Sequence, residues 1–113
     1  MPVSTNSDPL DAEPYEPTDE EAAQMVASSP DERAAAQEMV LRACSSHWQK
    51  VAKLVGDLSD DFIRRYPHLP FAYLQATMQR LEDDGKVELA GDVWAMRHSE
   101  IRLAPRRSGP REV

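Results

Sequence analysis

Apolar residues recur at helical spacing from Pro30 to Leu81, and near Lys86 the period shortens to two. The first helical stripe is Ala36, Met39, Val40, Ala43 and Cys44. It is preceded by Ser29-Pro30-Asp31-Glu32, a strong start signal. Ser29 caps, Pro30 fits the first helical position, and Glu32 returns to the cap amide. Ser46 and Gln49 have the same capping spacing and open a helix with Trp48, Val51, Ala52 and Val55 on one face. The stripe nearly continues across Ser45-Ser46, so one bent helix is the alternative to two. Gly56 near the end, followed by Asp57-Leu58-Ser59, predicts a turn. Ser59 then caps a brief helix, Asp60–Tyr66, stopped by Pro67 and Pro70. From Pro70 to Asp84, Phe71, Leu74, Met78 and Leu81 share a face, and Gly85 stands at the C-cap.

Lys86-Val87-Glu88-Leu89 alternates, and Gly91-Asp92 has the composition of a two-residue hairpin turn. That turn pairs Ala90 with Val93, Leu89 with Trp94 and Val87 with Met96, which places Val87, Leu89, Trp94 and Met96 on one buried side. Ile101 and Leu103 either extend the second strand or add a third. The expected fold is therefore mainly α with a small β-hairpin, a winged helix-turn-helix-like domain. Pro70–Asp84 takes the recognition-helix position and Gly91-Asp92 the wing tip. One or two helices precede it, and an acidic, disordered arm precedes those.

Charge sharpens the domain boundaries. Residues 1–28 read as an acidic, largely disordered arm, 29–103 as the folded unit, and 104–113 as a disordered tail. The first 17 residues hold Pro2, Pro9, Pro14 and Pro17 and few apolar groups to offset ordering entropy. Thr18 and Glu21 nevertheless have capping-box spacing for a short helix, Asp19–Ala27. Of the chain's 20 acids, ten lie in residues 1–46 against only Arg33 and Arg42; the other ten meet eleven bases in 47–113. The net charge of −7 repels phosphate backbones and favours basic partners, although solubility is the simpler role of such an arm. No apolar run is long enough to span a membrane, and Met1–Leu10 lacks a secretory pattern. Cys44 is the single cysteine, which excludes an internal disulfide and points to the cytoplasm.

Residues 47–103 resemble the bacterial domain of unknown function 3658. The resemblance rests on Trp48-Gln49-Lys50-Val51-Ala52, Val55-Gly56, and Leu81 through Gly85-Lys86-Val87-Glu88-Leu89. It closes with Gly91-Asp92 and the run Met96-Arg97-His98-Ser99-Glu100-Ile101-Arg102-Leu103. It implies a bacterial source and a winged-helix-like domain, and brings no established activity with it. In that family a longer N-terminal domain is usual; here the acidic arm stands in its place.

No residue pattern predicts catalysis, a metal or a cofactor. Cys44 and His47 are a lone pair where structural zinc commonly uses two close pairs, and Cys44 on an apolar stripe reads as a core residue. The four glycines are too dispersed for a phosphate loop, and Asp60-Asp61 and Asp83-Asp84 sit at helix ends. Nucleic acid is the natural partner of the fold. On the recognition helix, Gln75 and Gln79 suit adenine edges, Arg80 suits guanine or phosphate, and Arg97 on the wing suits phosphate. Against this, the domain is near-neutral, without a clustered basic footprint. The leading expectation is a non-catalytic protein-interaction module, an accessory or neutralising partner of a larger or basic protein. Trp48 and Trp94 are its candidate anchors, although packing in the core is the simpler role for each. A DNA-binding transcriptional regulator is the alternative.

Overall fold

Capping chemistry sets the first two helices. The computed structural model describes residues 16–105, so the expectations for residues 1–15 and 106–113 lie outside the described part. Helix α1, Asp19–Val26, opens with the reciprocal Thr18–Glu21 box. Helix α2, Pro30–Ala43, opens with the Ser29–Glu32 box and has Pro30 at its start. Each box satisfies two backbone amides at a helix end with side-chain acceptors, worth about 1 kcal/mol. α2 buries Ala36 and Val40, and Cys44 is buried just beyond it.

The predicted capping of a helix by Ser46 does not occur. Ser45 instead folds a local turn, its hydroxyl accepting from the His47 amide at 3.1 Å. The chain then enters a two-residue strand, β1, Gln49–Lys50. Helix α3 begins only at Val51 and runs unbroken to Arg65. The expected turn at Asp57-Leu58-Ser59 and the separate helix Asp60–Tyr66 are thus one helix. The reason is the apolar stripe: Val51, Leu54, Val55 and Phe62 are buried and Leu58 packs against them. Burying that face outweighs the roughly 1 kcal/mol cost of Gly56 inside a helix. Helix α4, Ala72–Asp83, follows a turn through Leu69 and ends at Gly85, whose φ of +78° suits the left-handed C-cap.

The sheet corrects the expected hairpin. Strand β2, Val87–Ala90, pairs antiparallel with β3, Glu100–Leu103, in the register Val87↔Leu103, Leu89↔Ile101 and Ala90↔Glu100. Trp94 and Met96 are not strand residues. They belong to a long connection that holds a 3-10 turn, Met96–His98. Gly91 has positive φ as the turn signal required, but it starts this longer loop. A Cβ there would come within 2.9 Å of the His98 carbonyl oxygen, so only glycine lets the two ends of the loop approach. β1 pairs with the other edge of β3 through Gln49↔Ile101, and the sheet order is β1-β3-β2. Ile101, in the middle strand, is fully buried with Leu54, Leu74, Met78, Leu81, Val87 and Val93 in one core. The molecule is therefore mainly helical with a small three-stranded antiparallel sheet, and no described helix is long and apolar enough to cross a membrane.

Candidate interaction surfaces

The residues expected to meet a partner from α4 divide sharply. Ala72, Tyr73, Leu74, Gln75, Thr77, Met78 and Leu81 are all buried, which leaves little of this twelve-residue helix at the surface. Gln75 was expected on the solvent face. It is instead fully buried, and its Nε2 donates to the Val93 carbonyl at 2.9 Å. α2 and the β2–β3 connection close over α4 from two sides, so the face opposite Leu74 and Met78 is not free. Gln75 ties that connection to the helix while its Oε1 stays buried without a hydrogen-bond partner. Gln79 is half-buried and donates to Glu82 at 2.9 Å. Arg80 is exposed, near the C-terminal end. Arg97 is exposed on the 3-10 turn, well separated in sequence from the α4 group. The four candidates form no single reading surface, since one is internal and one is engaged along its own helix.

The outward face of the sheet carries a group that sequence reasoning did not assemble. Alternation along β3 turns Ile101 inward and Glu100 and Arg102 outward. Arg102 sends both Nε and Nη2 to Glu88 Oε1 at 2.7 Å across the strands. Its guanidinium carbon lies 4.5 Å from the ring centroid of Trp48, which precedes β1 and is 40% exposed. Trp48, Arg102 and Glu88 thus make a row across the sheet, with the indole held by a charged partner at the surface. Trp48 was expected in the α3–α4 core. It left that core when β1 replaced the first turn of the predicted helix. Trp94 is half-buried against the core.

The remaining chemistry-bearing residues are dispersed. Burial pushes the Cys44 thiol up to about 11, so it stays protonated near neutrality. His47 is exposed, and His68 lies against Glu32 on another side of the fold. Among the described residues no group of three or more His, Cys, Asp or Glu stands together. Comparisons with protein-family models, curated proteins and solved structures found no match to this chain.

Proposed function

We propose that this chain is a non-catalytic bacterial protein-interaction module of winged-helix type, the accessory or neutralising partner of a larger or basic protein. The element order α2-β1-α3-α4-β2-β3 with sheet order β1-β3-β2 supports the winged-helix reading, with residues 91–99 as the wing. The resemblance of residues 47–103 to the domain of unknown function 3658 is part of the same proposal. The observation that favours protein over DNA is the burial of α4. A helix that reads a major groove needs a free face along its N-terminal half. Here Ala72 through Gln75 are all buried. The net charge of −7 adds repulsion from a phosphate backbone. The Trp48–Arg102 row offers the residue types that dominate protein interfaces.

The test pairs two measurements. Random duplex DNA should bind the full chain hardly at all near physiological salt, and removing residues 1–15 should yield no meaningful gain at low salt. A specific protein complex recovered from the native host should be weakened by Trp48→Ala with the melting temperature retained. Salt-steep DNA binding that Arg80→Ala reduces would instead make the chain a transcriptional regulator.

A further inference from the structure

Arg33 and Arg80 line one cleft between α1, α2 and α4, about 200 Å³ in volume, with Gln37, Thr77, Met25, Val26 and Ala76. Its geometry follows from three contacts. Arg33 Nη1 donates to the Ser28 carbonyl at 2.7 Å, and the Tyr73 hydroxyl donates to Ser28 Oγ at 2.7 Å, so Arg33 and Tyr73 stand at the same end. Arg80 lies seven positions beyond Tyr73 on α4, about 10 Å along the axis. Gln37 and Thr77, each four positions on from Arg33 and Tyr73, fall between. The cleft is thus a short trough lined by two arginines, with an apolar wall of Met25, Val26 and Ala76. Val26 is 82% exposed there.

The charge pattern is what makes the trough informative. Acids outnumber bases 20 to 13, and Arg42, Arg64, Arg65, Arg102 and Lys53 each pair with a carboxylate. Among the described residues Arg33 and Arg80, like Lys50 and Lys86, form no ion pair, and the two arginines line the same cleft. Arg80 has Asp83 and Asp84 three and four positions on, yet lines the cleft. Arg33 is half-buried, and among the described residues its one hydrogen bond goes to a neutral carbonyl. Two guanidiniums in one small trough, without an ion pair among the described residues, match a ligand with two acidic groups and an apolar middle. We infer that this cleft binds a small linear dicarboxylate, each carboxylate taken by one arginine, with Gln37 between them and the methylenes against Val26 and Ala76. Its volume is below the ~300–1,000 Å³ of drug-sized sites, which suits such a ligand. The site shares no residue with the Trp48–Arg102 face, so it stands apart from the protein-interaction reading.

The full-length protein is titrated with succinate, glutarate and adipate, followed by calorimetry and amide chemical shifts. Acetate and inorganic phosphate are the controls. Saturable binding of at least one dicarboxylate is expected, with shifts at Arg33, Gln37, Ala76 and Arg80 and weaker binding of both controls. Arg80→Ala should weaken it about tenfold, the effect of losing one charge-assisted pair, with the melt unchanged because Arg80 is exposed. Gln37→Ala, a second variant outside the Ser28 anchor, should weaken it less. The inference is overturned by any of three results: no saturable dicarboxylate binding up to about 10 mM, affinities unaffected by Arg80→Ala, or equal response to acetate and phosphate. A cleft protected only when a partner protein is bound, with no small-molecule binding, also overturns it and makes the trough a socket for acidic side chains.

Discussion

Glu32 shows how much one side chain can join. Its carboxylate accepts from the Ser29 amide to close the α2 capping box and lies against His68 Nε2 in the α3–α4 connection. The amide hydrogen bond, followed by the hydrogen bond and charge of His68, holds the carboxyl below its ordinary 4.5, although partial desolvation opposes them. A folded-state value below the unfolded one gives stability that is present above the unfolded value and lost as pH falls through the folded one. Glu32→Gln should therefore lower the melting temperature at neutral pH and flatten its decline below about pH 5; melts across the acid range check both. The box was readable in the sequence because Ser29, Pro30 and Glu32 are neighbours. The His68 contact spans 36 positions, and no local spacing announces it.

At the scale of elements, local punctuation was sometimes outvoted by burial. Gly56, with Asp57-Leu58-Ser59, has the composition of a helix end, yet α3 passes through it because Leu58 and Phe62 continue the stripe begun by Val51. The glycine is a weak point that the helix tolerates. A Cβ at Gly56 meets nothing within 4 Å, so Gly56→Ala should raise stability by about 0.5–1 kcal/mol, measured by denaturant unfolding. A drop in stability would mean that the segment is not helical. The hairpin was misread for the opposite reason. Gly91 only bends the chain and the hydrogen-bonded turn follows over Asp92–Ala95, while Leu89 pairs with Ile101 and not with Trp94. Choosing Ile101 lets Val93 enter the core, where its carbonyl accepts from Gln75. Gln75 was misplaced by the same event, because periodicity on α4 marks one face and cannot show that a distant loop covers the other.

For the whole molecule, the boundary drawn at residue 28 needs dividing. Met25 packs on the core and the Ser28 hydroxyl is the acceptor for the buried Tyr73 hydroxyl. Removing residues 1–15 should leave the cooperative melt unchanged, since that stretch is rich in prolines and acids and holds few apolar groups to bury. Removing 1–28 should cost on the order of 1–3 kcal/mol, because a buried hydroxyl then loses its partner. Equal melts for the two truncations would make the Ser28–Tyr73 contact irrelevant to stability. The acidic composition that suggested a dispensable arm describes charge, whereas attachment depends on a few apolar and hydroxyl groups at its end. Another consequence comes from β3 occupying the middle of the sheet. Among the described residues, 100–103 supply the only strand partners of β1 and β2. During synthesis, α2, α3 and α4 leave the ribosome before either flanking strand can pair. Until Leu103 emerges, the nascent chain carries two open strand edges and a core without Ile101. The sheet therefore cannot close before residues 100–103 are in place, and their arrival joins residue 49 to residue 101.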